Sequence, residues 1–107
     1  MRITDANVVN KNINKTNAEF LGKVAATAFM AYCGKLFGDS EYKFYGKPAM
    51  EYGKALSIPD EFFSDFVEAY NATVMFGVND REKDDVLNFC ELNHSILFAA
   101  FKKVIVG

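Results

Sequence analysis

The sequence predicts an all-α fold: a compact bundle of three long helices plus one short helix, behind an extended N-terminal arm. Two observations predict it. Apolar residues recur at helical three- and four-residue spacing through three long windows. Helix punctuation brackets these windows, with Pro48 and Pro59 near starts and Gly38 and Gly77 at stops. Half of the 107 residues are hydrophobic and 15% are aromatic, among them Phe 11 and Tyr 5. That is enough apolar volume for one core over residues 1–107 without a disulfide or metal staple.

Residues 1–15 form the arm, polar and rich in asparagine. Ile3, Val8, Val9 and Ile13 also suit a short edge strand. Pairing of that strand with "YKFYG" gives the alternative fold, α+β with a minor two-stranded hairpin. The first long helix starts at Thr16, where "TNAE" reads as a capping box. Leu21, Val24, Ala25, Ala28, Tyr32 and Leu36 are its apolar stripe. Gly22 and Gly34 inside it mark close helix contacts. A connector, 42–48, leads to the short helix, with Pro48 in its first turn, Ala49, Tyr52 and Leu56 on one side, and Gly53 fraying or ending it. The next helix has Ser57 as its cap and Asp60 and Glu61 at its positive end. Phe63, Phe66, Val67, Tyr70 and Val74 are buried, opposite Glu61, Asp65 and Glu68. The last helix is capped by Asn79 or Asp80 and runs unbroken to about Val106, roughly 39 Å at ~1.5 Å per residue. Its apolar arc, from Val86, Phe89 and Cys90 through Leu97, Phe101 and Val104, covers more than half the circumference, which predicts that it is the central helix.

Net charge is −2. Residues 1–54 carry eight Lys/Arg against five Asp/Glu, and residues 55–107 carry four against nine. The chain is therefore dipolar rather than polyanion-binding. Cys33 and Cys90 form no CxxC pair and read as buried free thiols of a reducing compartment. No apolar run reaches the roughly 20 residues that span a bilayer. The opening stretch lacks the apolar core of a signal peptide. A cytoplasmic protein with no membrane partner is expected.

The stretch "NFCELNHSILFAAF" gathers one cysteine, a glutamate and the single histidine. Glu91 and His94 match a Glu-x-x-His spacing, but a di-iron bundle needs two such motifs. Cys90 and His94 offer zinc two ligands of the four it wants. No metal or other cofactor is expected. Asn93 and His94 read instead as buried polar residues that fix helix register. No nucleophile elbow or phosphate loop occurs, so no catalytic residue is assigned and no enzyme is expected.

A small cytosolic protein-binding module is expected. It would act by steric or electrostatic blockade of a larger partner, as an inhibitor, immunity or adaptor protein. The tyrosines Tyr42, Tyr45 and Tyr52 and the acids Glu61, Asp65 and Glu68 are the candidate contact residues. A homodimer through the wide apolar face of the last helix is a further possibility. The alternative is a small nucleic-acid-binding transcriptional regulator of helix-turn-helix type, suggested by Ala-x3-Gly at Ala49–Gly53 between two helices. The acids of the following helix count against it, because they repel phosphates. A lesser variant holds single strands with Lys43, Lys47 and Lys54 among Tyr42, Phe44, Tyr45 and Tyr52.

Overall fold

Asn14, not Thr16, starts the first helix. In a computed structural model that describes residues 13–37 (main chain only for 35–37) and 46–106, the Asn17 N–H donates to Asn14 Oδ1 at 2.8 Å and the Ala18 N–H to the Asn14 carbonyl at 2.9 Å. Asparagine caps at least as well as threonine. This start also buries Ile13 just ahead of the cap and Ala18 in the first turns, the pairing of a hydrophobic staple.

The order is α1 (Lys15–Phe37), α2 (Lys47–Ala55), α3 (Asp60–Phe76), α4 (Asp80–Leu92) and α5 (His94–Val106). No strand occurs among the described residues. The expected arm, the hairpin alternative and the Gly38 stop fall on residues 1–12 and 38–45, outside the described residues.

The centre is α1, not the C-terminal segment. It packs against all four other helices. Val24, Ala25 and Ala26 are consecutive and fully buried. At about 100° per residue they enclose roughly 200° of the helix, so neighbours must approach from several sides. Alanine permits those approaches. The closest is to α3, where a Cβ on Gly22 would press on the Phe66 carbonyl oxygen and lie 3.0 Å from both Ala69 Cβ and the Tyr70 nitrogen. The two helices run in the same direction: Lys15 meets Asp65, Gly22 meets Phe66–Tyr70, and Met30 shares a cleft with Thr73 and Val78. Gly34, by contrast, has nothing among the described residues near its missing Cβ.

Gly53 neither frays nor ends α2. The Phe63 ring of α3 occupies the space where its Cβ would stand. The helix closes further on: the Ser57 N–H bonds the Lys54 carbonyl at 3.1 Å, and the Ile58 N–H bonds the Gly53 carbonyl at 3.0 Å. With Ser57 at φ 58 this is a Schellman closure. Ser57 therefore ends α2 instead of capping α3, whose N-cap is Pro59.

The expected single C-terminal helix is two. Asn93, at φ −113 and ψ 26, ends α4. Its main-chain N–H bonds the Phe89 carbonyl at 3.0 Å, and its own side-chain amide bonds the same oxygen at 3.1 Å. Such side-chain competition for a main-chain acceptor is how asparagine interrupts helices. The break lets α4 lie on the first half of α1, through Phe20–Phe89, while α5 lies on the second half, through Phe29–Phe101 and Tyr32–Phe98. Asn79 caps α4 by accepting from the Arg81 N–H at 3.0 Å. Glu82 in its first turn receives Lys23 Nζ of α1 at 2.8 and 2.6 Å.

Candidate functional site

The cysteine–histidine stretch comes apart in space. Cys90 turns inward and its thiol donates to the Val24 carbonyl at 3.7 Å. Burial pushes that thiol up to about 11, so it stays protonated near neutrality and is a poor nucleophile. Burial raises Cys33 as well. His94 is exposed, which corrects the expectation of a buried register residue. The break at Asn93 makes His94 the first residue of α5 and turns its ring outward. The ring stacks on Phe98 at 5.5 Å and 19°, and its Nδ1 shares a hydrogen bond of 2.9 Å with the Tyr32 hydroxyl. Asn93 is buried as expected, with its side-chain oxygen unpartnered among the described residues. Among the described residues no three His, Cys, Asp or Glu side chains gather as a metal would require.

Of the six expected contact residues, the four described ones do not share one surface. Tyr42 and Tyr45 lie outside the described residues. Tyr52 is wholly buried, edge-on to Phe29 at 6.1 Å, and burial raises its hydroxyl above the ordinary tyrosine range. It is a core residue, not a surface one, because α2 presents its Ala49–Tyr52–Leu56 side inward. The three acids remain on the surface. Glu61 and Glu68 are exposed, and Asp65 between them is half-buried with Lys15 Nζ at 4.0 Å.

Along α3, Glu61, Asp65, Glu68, Met75 and Phe76 fall within roughly 100° of arc, so they form one outward line. Its far end exposes two large apolar side chains in succession: Met75 is 62% exposed and Phe76 81%. Gly77, at φ 80, ends the helix there by donating its N–H to the Thr73 carbonyl at 2.8 Å. A cleft of about 290 Å³ opens beside this tip, between Met30 of α1, Thr73 of α3 and Val78 and Leu87 beyond the turn. Sequence spacing put the three acids on one side of α3. It missed Phe76, whose only signal is an apolar residue just before a terminating glycine.

A second surface was missed altogether. Helices α2 and α5 pack antiparallel: Lys47 faces Val106 at one end, and Lys54 and Ala55 face Ile96 at the other. The groove between them, about 510 Å³ at its wider end, is lined by Ala99 and the exposed Val106 together with Lys47, Lys102, Lys103 and Glu51. Lys54 extends the lining. The opposite sign lies elsewhere: among the described residues every acidic side chain except Glu19 and Glu51 is on α3 or α4. The pair α2–α3 does not present a basic helix to nucleic acid, because the outward line of α3 carries carboxylates. No helix among the described residues is long and apolar enough to cross a membrane.

No family model, curated protein or solved structure matches the chain.

Proposed function

We propose that the chain is a protein-binding module that works by covering part of a larger protein, in the manner of an inhibitor or adaptor, and that its contact face is the outward line of α3. One observation carries this: three carboxylates and the exposed Met75–Phe76 pair share one face of one helix. An exposed aromatic ring beside a methionine suits an interface anchor. The acids around it steer and select a basic surface more than they add affinity. The fitting partner has a cationic patch beside an apolar recess deep enough for a phenyl ring. Chemistry at the cysteines is no part of this reading, since both thiols are held protonated by burial.

The experiment is parallel affinity capture from host cells with three baits: wild type, Glu61→Lys/Glu68→Lys, and Phe76→Ser. All these positions are exposed, and circular dichroism checks that each bait is helical. A protein retained by wild type and depleted on both variants supports the proposal. Equal recovery on all three baits overturns it. The competing reading, a small nucleic-acid-binding regulator, predicts instead oligonucleotide binding that falls steeply with salt.

A further inference from the structure

The lysine-lined groove of α2 and α5 has a complement in the same chain. On α4, Asp80, Asp84, Leu87 and Glu91 stand at i, i+4, i+7 and i+11, within about 60° of arc. All four are exposed, and Leu87 is 47% exposed at the centre of the line. Leu92, 60% exposed, flanks it. Among the described residues the ion pairs are Lys15–Asp65 and Lys23–Glu82, so the acids of this line and the lysines of the groove are uncommitted to one another. The groove is lined, among the described residues, from α2 and α5, and no α4 residue lines it.

We infer that the α2–α5 groove binds the α4 face of a second copy of this chain, joining molecules head to tail. Three matches carry the inference. Sign is the first: Lys47, Lys54, Lys102 and Lys103 meet Asp80, Asp84 and Glu91. Polarity is the second. The groove lining includes apolar side chains, Ile96, Ala99, Ala100 and Val106, and the acidic line has leucine near its middle. A phosphate backbone would gain little from those apolar side chains, whereas the α4 face brings Leu87 and its adjacent carboxylates to apolar and cationic groups together. Length is the third. Asp80 to Glu91 spans about 16 Å of helix, and the α5 wall from Ile96 to Val106 about 15 Å. Small alanines in the lining allow the incoming helix to approach closely.

The contact is heterologous. Each molecule offers one groove and one acidic line, so a docked pair keeps one of each free, and assembly proceeds to longer chains or a closed ring. Glu51 opposes the docking as the one carboxylate in the groove. The inference goes beyond the proposed function, because it uses α4, α2 and α5 rather than the outward line of α3.

Sedimentation velocity on the full chain tests it. The wild type should sediment faster as concentration rises at low salt and return to monomer at high salt. Neutralising the acidic line by Leu87→Ser/Glu91→Ser should weaken association roughly tenfold or more, as should neutralising the groove by Lys47→Ser/Lys103→Ser. These positions are exposed, so the variants should fold, which circular dichroism verifies. Mixing the two variants should restore one competent contact and give a one-to-one dimer that grows no further. Glu51→Gln should tighten association. Glu61→Lys/Glu68→Lys should leave it unchanged, which separates this inference from the reading of α3. A wild type that stays monomeric at every concentration in low salt overturns it. So does a mixture of the two variants that yields no dimer, since that points to a symmetric interface instead.

Discussion

The smallest side chains decide the tightest packing. A methyl group on Gly22 would meet the Phe66 carbonyl oxygen, which a helix cannot move, whereas one on Gly34 would meet nothing among the described residues. The same substitution should therefore have opposite signs. Gly22→Ala is expected to cost roughly 1–3 kcal/mol by overpacking. Gly34→Ala is expected to gain about 0.5–1 kcal/mol by removing backbone freedom from an exposed helical position. Urea unfolding of both variants measures this, and equal effects would contradict the α1–α3 crossing. Cys90 allows a pH test. Its thiol titrates near 9 when free and is raised to about 11 in the fold. Below the unfolded value both states hold the proton and nothing changes with pH. Between the two values only the unfolded state releases it, so stability falls as pH rises, by up to about 1.4 kcal/mol per pH unit. Cys90→Ala should flatten that part of the profile, read as urea midpoints between pH 8 and 11. An unchanged slope would show that the thiol is not sequestered. Sequence spacing placed Cys90 on the packed side of its helix. It missed the outward turn of the neighbouring His94, because that follows from a break in the helix.

At the scale of elements, the helices were legible and their ends were not. Apolar spacing reports what a helix buries, which is why the packed side of α3 was placed from sequence, whereas Tyr52, on the Ala49–Leu56 side of α2, was expected at a contact surface and is core. Ends depend on local hydrogen bonds that several residues can supply. Asn14 outcompetes Thr16, and the Asn93 side chain shares the Phe89 carbonyl with its own main-chain N–H. A wheel drawn through residues 80–106 assumes one rigid helix and so merged α4 with α5. Ser57 is the sharpest case. Serine before Pro59 resembles an N-cap, yet the residue closes α2 from the left-handed region at φ 58, where a side chain is strained. Glycine adopts that conformation freely. Ser57→Gly is thus expected to stabilise the fold by about 0.5–1 kcal/mol, unlike most serine-to-glycine changes. Ser57→Val should cost at least as much, because a β-branched residue tolerates positive φ worst. Thermal unfolding of the pair checks this: a destabilising Ser57→Gly would mean that the serine does cap α3. The candidate surfaces follow the same rule. The acids of α3 lie on one helix and were found. The α2–α5 groove joins residues some fifty positions apart, and no local pattern reports it.

For the molecule as a whole, the misplaced centre is the instructive error. A broad apolar arc marked the last helix as the hub, but the hub is α1, whose faces are alanine and glycine as much as leucine and phenylalanine. Alanine carries little hydrophobic weight on any scale, so a helix enclosed on several sides through alanines looks less buried than it is. The consequence concerns cooperativity. Each outer helix meets α1, so α1 can lose its protection only when they all leave, whereas α4 and α5 expose much of their surface and meet one another only across the Asn93 break. Local opening draws on regions with few buried contacts. Amides of Leu21–Phe29 should therefore exchange hydrogen only through global unfolding, with a free energy equal to that from urea. Amides at the C-terminal end of α5 and along the exposed side of α4 should exchange faster, through smaller openings insensitive to urea at low concentration. Native-state hydrogen exchange resolves the two classes. Protection in α4 or α5 that outlasts α1 would remove α1 from the centre, and with it the account of why its alanines and Gly22 are needed.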